Sequence, residues 1–430
     1  MYNLCCKGGR IDLPELKHPP SFLAKLLKFD GDARYKRFLR QIRSYNSLFA
    51  FTSLGADIDR SINTGSSPCV FKINGVIHHR IGSLLPKHGA PPKFAQLYIY
   101  DTDNETTNRM NIFDKVSSSD GPPDKQIIEK LGSMLDEHNN ELVKSFRYAK
   151  ERLEEHGDQD IALRLMGCNA KDEVQYNLPS NGEIAGIVVG DYSKDAYIYD
   201  VLVKSKDNRL RQVSALHPSY MALPYPLLFP YGDRGFHLGI KYTDFRSLAP
   251  TARRYVTMLE YYRYRMHYRL NKPNPYTCCG RLSDSLAVDA YSTVEGSRQQ
   301  FIADHQPDLC TECVQEIVDA IDHGLSTGDS VGKKYVLPSS FTGGRRYMVQ
   351  NYQDAMAICR VLGSPDLFVT FTCNSKWQEI YDALLFEPGQ VPSDRADMIV
   401  RVFNMKVDEF ISDIKEGHTI GPVLAGLPTT

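Results

Sequence analysis

The chain has 430 residues, 51 Lys and Arg against 52 Asp and Glu, a net charge of −1, 42% hydrophobic residues and a single Trp. At roughly 100–200 residues per domain this length predicts several domains, and the ordinary apolar and charged fractions exclude wholesale disorder, collagen-like repeats and a membrane-embedded protein. The near-neutral balance gives no sign of a strongly basic nucleic-acid binder. Ten cysteines are too sparse for a disulfide scaffold. The first residues carry no apolar secretory core, and no apolar run reaches the ~18–20 residues that span a bilayer. These features point to a reducing compartment, nucleus or cytoplasm, and to no membrane partner.

In chain order, Pro14, Pro19 and Pro20 precede a short helix at Phe22-Leu-Ala-Lys-Leu-Leu27, and residues 38–52 begin with helical spacing and end in an aromatic run. Residues 67–105 read as β structure. Cys69-Val-Phe-Lys-Ile73, the Asn74-Gly75 turn and Val76-Ile-His-His-Arg-Ile81 predict a hairpin, and Phe94-Ala-Gln-Leu-Tyr-Ile-Tyr100 alternates like a strand. A linker-like Ser117-Ser-Ser-Asp-Gly-Pro-Pro123 leads into one predicted long helix over 124–156. Its stripe of Ile127, Leu131, Leu135, Leu142, Phe146 and Leu153 marks a core face.

Two buried strands are expected at 183–190 and 196–203, then a rigid extended connector at 217–232 where four prolines sit among aromatics. The main boundary is placed near 205. Helices are predicted at about 251–270 and from Val288 to about 303, followed by a Gly/Ser loop at 324–332.

The strongest charge feature is hidden by the global balance. Between Ala252 and Arg281 seven basic residues, including Arg253, Arg254, Arg263, Arg265, Arg269 and Lys272, face one acid, Glu260, and are interleaved with six tyrosines. On a helix Ala252, Val256, Leu259, Met266 and Leu270 would face a core, while Arg265 and Arg269 share another face near Tyr261 and Tyr268. Arginines contact phosphates and tyrosines stack on unpaired bases, so the mixture suits single-stranded nucleic acid. The alternative is a solvated basic helix whose tyrosines cap a core. A smaller cluster lies at Gly343-Gly-Arg-Arg346, where glycines let a phosphate approach Arg345 and Arg346.

Other constellations fall short. Gly328-Asp-Ser-Val-Gly-Lys333 has one residue too few between its glycines for a phosphate loop, and Lys334 stands where Ser or Thr should hold magnesium. His305, Cys310, Cys313 and His323 fit no standard zinc spacing, and Cys5-Cys6 and Cys278-Cys279 need partners elsewhere. Cys373, in an apolar strand-like run, reads as a buried thiol. No His-x-His, His-Glu-x-x-His or Gly-x-Ser-x-Gly occurs, so no catalytic site assembles from the residues alone.

Several long strings resemble the N-terminal, replication-initiator region of Helitron transposon proteins of the plant type. They are Glu260-Tyr-Tyr-Arg-Tyr-Arg-Met-His267, Asn271-Lys-Pro-Asn-Pro-Tyr276, the run from Phe341-Thr-Gly-Gly-Arg-Arg-Tyr-Met348 to Arg360, Pro365-Asp-Leu-Phe-Val-Thr-Phe-Thr-Cys-Asn374 with Trp377, and Arg401-Val-Phe-Asn-Met-Lys-Val-Asp-Glu-Phe410. Upstream, Asn46-Ser-Leu-Phe-Ala-Phe-Thr-Ser53, Arg80-Ile-Gly-Ser-Leu-Leu-Pro86 and residues 94–101 extend the likeness.

The resemblance implies rolling-circle transposition: a two-histidine nuclease with a nucleophilic tyrosine and a divalent metal, fused to an ATP-driven helicase. It makes Phe368-Val-Thr-Phe-Thr372 a central strand of a palm-like nuclease sheet, with the His-hydrophobe-His strand expected soon after Gly421-Pro-Val-Leu-Ala425. The sequence runs instead into Gly426-Leu-Pro-Thr-Thr430. It also implies that Cys5 and Cys6 are half of a zinc site.

The expectation is therefore an α+β protein in several parts, with an incomplete palm-like sheet at its C-terminal end. Residues 1–116 form a mixed, β-rich region, 124–205 a long helix plus strands, and 206–430 a Helitron helicase-like N-terminal domain truncated before the His-hydrophobe-His strand. The chain is expected to be a truncated Helitron transposase/helicase-like protein that lacks nuclease and helicase activity and retains at most single-stranded DNA binding, in the nucleus or else the cytoplasm. Arg254, Arg263, Arg265, Arg269, Arg345, Arg346, Tyr261 and Tyr268 would carry that binding, with no catalytic residue and no cofactor of its own. The alternative is a fragment of a full nuclease-helicase that nicks and unwinds DNA; an inert remnant is the third reading.

Overall fold

Asp124 shows how the chain ties its early helices together. Its carboxylate accepts from the backbone N–H groups of Gln126 and Ile127, capping a helix, and also from Arg34 at 2.8 Å. Its own N–H donates to the Tyr45 hydroxyl at 2.7 Å. In the computed structural model the described residues are 5–55, 77–113, 121–138, 140–156, 161–166, 185–189, 201–204, 210–244, 253–269, 272, 274–306, 336–386, 388–418 and 420–426. They divide into two compact units: Met1–Thr293 with Leu384–Ala396, and Val294–Ala383 with Asp397–Thr430.

In the first unit, short helices α1 (Ser21–Leu26), α2 (Ala33–Arg40) and α3 (Ile42–Phe49) precede β1 (Ser53–Leu54) and β2 (His79–Ile81). After two 3₁₀ turns come α4 (Glu105–Phe113), α5 (Lys125–Glu137) and α6 (Glu141–His156). Strands β3 (Ile161–Leu165), β4 (Ala185–Val189), β5 (Val201–Lys204) and β6 (Arg211–Gln212) follow, then α7 (Met258–Arg265) and α8 (Arg281–Asp304). Both sheets are antiparallel and three-stranded, in the orders β1-β2-β6 and β4-β3-β5. β3 is the middle strand of the second, with Leu163 opposite Ile187 on one side and Val203 on the other.

The helix expected over 124–156 is two helices. Asn140 interrupts it: its side-chain oxygen accepts from Leu142 and Val143 N–H while its amide donates to the carbonyls of Phe229 and Pro230. Most of the predicted core stripe survives, because Leu135 and Leu142 stand seven residues apart across the break; only Leu153, at its end, is half-buried. Ile127, Leu131, Leu135, Leu142 and Phe146 are all buried. Phe146 stacks on Phe51 at 5.1 Å, and Phe51 on Tyr98 at 4.5 Å.

The strand expected at 94–100 is a 3₁₀ helix, Phe94–Tyr98. Gln96 ends the extended path: its side chain accepts from the Lys93 N–H and donates to the Ser83 and Leu85 carbonyls. Of the predicted hairpin, only residues 77–81 are described, and His79–Ile81 is a strand; residues 69–76 lie outside the described residues. The expected strands at 183–190 and 196–203 are present where described, as β4 and β5.

The proline-rich stretch is not extended. It runs through successive turns, with Tyr220 N–H on the His217 carbonyl, Leu223 on Ser219 and Phe229 on Tyr225, and residues 217–230 are all buried. Asn46 accounts for part of this: its amide donates to the Pro224 carbonyl and its oxygen accepts from Leu227 N–H. Nearby, the Tyr225 hydroxyl donates to Asp289 at 2.7 Å and His79 lies 3.0 Å from the same carboxylate. The stretch thus pins α3, β2 and the start of α8 together. Residues 117–120 and 205, where junctions are expected, lie outside the described residues.

The second unit contains the end of α8, α9 (Arg345–Leu362), most of α10 (Gln378–Leu384) and α11 (Ala396–Lys415). Phe371 sits in an aromatic stack with Trp377, Phe403 and Phe410, at 5.1–5.9 Å. Residues 368–372, expected as a central strand, pair with no strand among the described residues, and Cys373 is exposed rather than buried. An apolar run makes a strand only where a neighbour completes its ladder.

Candidate nucleic-acid interface

The helix expected over 251–270 is much shorter. Residues 253–257 are extended, with Tyr255 bridged to Lys241 and the Val256 N–H on the Ile240 carbonyl. Thr257 then starts α7 through a capping box: its hydroxyl accepts from the Glu260 N–H and the Glu260 carboxylate accepts from its own N–H. After Arg265 the chain turns, and the Asn274 amide donates to the carbonyls of Arg265 and His267. Arg269 is therefore not on the helix.

Glu260 is the hinge of this region. Beyond the cap it pairs with Lys7 and accepts from the Tyr242 hydroxyl at 2.7 Å. Desolvation opposes its charge, but these partners overcome it, led by Lys7, and hold the carboxyl down at about 2. Arg10 lies over the Tyr242 ring at 4.8 Å and pairs with Asp244. The single acid of the basic stretch is thus a structural anchor for the N-terminal segment.

Around the C-terminal end of α7 the chain forms a small cleft of about 40 Å³. Tyr264, Arg265, His267, Arg269, Lys272 and Asn274 line one side, and Leu13, Glu15 and Leu16 the other. The Arg269 guanidinium lies 4.0 Å from the Tyr264 ring centroid and donates to the Tyr264 and His267 carbonyls. Arg265 donates to the Pro14 carbonyl at 2.8 Å and lies over the Tyr261 ring. Lys272 pairs with Glu15.

The expected DNA-binding residues are thus sorted by the structure. Arg265 and Arg269 line the cleft, and Arg263 is exposed on α7. Arg254 lies on the extended segment before the helix, where its carbonyl accepts from Tyr242 N–H. Tyr261 is buried, in edge contact with Phe236 and Tyr262, so it offers no face to a base. Tyr268 has the buried Arg395 guanidinium 4.9 Å from its ring centroid, as Tyr264 has Arg269, so one face of each ring is taken. Burial of Tyr262 and Tyr276 pushes both hydroxyls well up, as expected of core tyrosines.

Arg345 and Arg346 belong to the second unit. Gly343, at φ +80°, and the N-cap Gly344 turn the chain into the first turn of α9, where both arginines lie. Tyr264, His267, Lys272 and Asn274 also line the cleft though they were not among the expected binding residues, Tyr264 and Lys272 having been read only as part of the basic, tyrosine-rich stretch; the Thr257-x-x-Glu260 box was the signal that could have shortened the helix.

Cys5 and Cys6 are half-buried neighbours. Burial pushes the Cys5 thiol up, reinforced by its hydrogen bond with Cys6 and opposed by nearby Arg269. Two adjacent thiols do not make a four-ligand zinc set, and among the described residues no group of three or more His, Cys, Asp or Glu could hold a metal. His305 caps its own helix by hydrogen bonding with the Phe301 carbonyl; Cys310, Cys313, His323 and the glycine-rich stretch at 328–333 lie outside the described residues. Among the described residues, no helix is long and apolar enough to cross a membrane.

Fold and cleft together define a mixed helix-and-sheet protein whose distinctive surface is a cationic, aromatic groove. Residues 261–429 match the family described as the Helitron helicase-like domain at N-terminus, so this part of the chain is a Helitron N-terminal region. The match begins inside α7 and takes in Tyr264, Arg265, Arg269, Lys272, Arg345 and Arg346; Arg254 and the N-terminal wall of the cleft lie before it. No curated protein was found to match the chain.

Proposed function

We propose that this protein is Helitron-related and binds single-stranded DNA through the cleft beside α7, as a DNA-handling part of rolling-circle transposition in the nucleus. One observation carries the reading: three cations, Arg265, Arg269 and Lys272, border a single groove with the Tyr264 ring and His267. Guanidinium and ammonium groups neutralise phosphates, and an aromatic face accepts an unpaired base without regard to sequence. Arg263, exposed on the preceding turn, extends the positive surface. Nicking and unwinding, with the divalent metal and ATP they need, belong in this reading to a full nuclease-helicase, not to the residues of the cleft.

Fluorescence anisotropy of a labelled single-stranded oligonucleotide with the full chain, at two salt concentrations, tests it. Binding at low salt should weaken as salt rises, and Lys272→Met should weaken binding and reduce the salt slope by up to about 0.7, the single-strand value for one phosphate contact. Absence of binding at low salt, or binding indifferent to Lys272→Met, refutes it.

A further inference from the structure

Leu13, Glu15 and Leu16 line the cleft opposite the cations, and the alternation of their segment, residues 12–16, is informative. Ile11 and Leu13 are buried at 2% and 5% exposure and hold the segment down. The groups between and after them face outward, and three of them reach the basic side. The Glu15 carboxylate sits on Lys272, the Pro14 carbonyl accepts from Arg265, and Asp12 accepts from the Tyr264 hydroxyl at 3.4 Å. Each is an oxygen acceptor on a group that would serve a phosphodiester. The Lys272 ammonium lifts as a base, and Glu15 strengthens as an acid, because each is the other's main partner.

We propose that this segment is a built-in competitor for nucleic-acid phosphate: Glu15, the Pro14 carbonyl and Asp12 occupy the positions that a bound phosphate backbone takes over. The inference rests on the cleft being the single-strand site. The apolar anchors stay in place during the exchange, and the Glu15 side chain, 65% exposed, swings away from Lys272. DNA must therefore displace an internal anion before it gains a cation. The carboxylate left behind takes up solution cations, which offsets part of the counterion release that drives binding. The segment then sets a threshold that favours a multiply charged strand over isolated phosphates, because one phosphate replaces only one of three acceptors.

The test is anisotropy with a labelled thymidine 20-mer and the full chain. Glu15→Gln should bind roughly two- to fivefold tighter than the wild type at low salt, the range expected for loss of one exposed ion pair. Its salt slope should steepen by up to about 0.7. Glu151→Gln, at an exposed position on α6 outside the cleft lining, has the same charge change and should leave affinity unaltered. In a Lys272→Met background the Glu15→Gln gain should vanish. Thermal melts confirm that each variant folds.

If the wild type binds and Glu15→Gln binds equally, the competitor is overturned while the cleft stands. If Glu151→Gln tightens binding as much, a general field effect explains the gain and the competitor is again overturned. If neither wild type nor Glu15→Gln binds at low salt, both the cleft reading and the competitor fail.

Discussion

Replacing Glu260 by Gln isolates the charge at the hinge between the N-terminal segment and α7. Glutamine retains a side-chain oxygen for the Thr257 N–H, so the capping box survives, while the ion pair with Lys7 is lost. The carboxyl titrates at about 2 when folded against an ordinary 4.5. Converted without screening, a depression of that size is about 3 kcal/mol. Lys7 is 38% exposed, however, so solvent screening reduces the expected loss to roughly 1–2 kcal/mol at pH 7. A folded-state pKa below the unfolded one gives stability that is fully present above about 4.5 and lost as pH falls through about 2. The destabilisation of Glu260→Gln should therefore be constant near neutrality and narrow between pH 4.5 and 2. Thermal melts of the two proteins followed by circular dichroism should differ by roughly 2–8 °C at pH 7, using the ~2–4 °C per kcal/mol expected of a large domain. Equal melting temperatures at pH 7, or a gap undiminished by acidification, would refute the ion-pair account.

Phe146→Ala should cost about 3–5 kcal/mol in denaturant unfolding, since the ring is fully buried against Phe51 and leaves a cavity. Asn140→Ala should cost roughly 1–3 kcal/mol by the same measurement, because it removes the cap of α6 and strands two buried carbonyls. In oligonucleotide anisotropy, Tyr264→Ala should weaken binding by about 1–3 kcal/mol, the value of one stacked base. Tyr262→Phe, altering a ring sealed in the core, should leave it unchanged, and equal losses from both would contradict the assignment of faces.

Local pattern was reliable where one element answers to one neighbour. The apolar stripe from Ile127 to Phe146 was legible because its spacing survives the Asn140 break. β4 and β5 were legible because continuous β-branched runs have few other ways to hide. It failed where backbone groups found side-chain partners far along the chain. Gln96 reaching Ser83 and Leu85 turned an alternating run into a 3₁₀ helix, and Asn46 holding Pro224 and Leu227 coiled a stretch that prolines suggested was straight. No periodicity encodes such contacts, since the partners are separated by up to 181 residues.

The same division governs the interface. The concentration of arginine, lysine and tyrosine around residues 252–281, and the strings that mark a Helitron region, are properties of the sequence alone. Which of those groups remain available is decided by packing. Tyr261, Tyr262 and Tyr276 are consumed by the core, Tyr264 and Tyr268 each carry a guanidinium on one face, and the cations meet an acidic segment some 250 residues earlier in the chain. A sequence fixes how many charges and rings there are; desolvation and the reach of opposing groups determine which of them face solvent, and that balance exists only once distant segments are brought together.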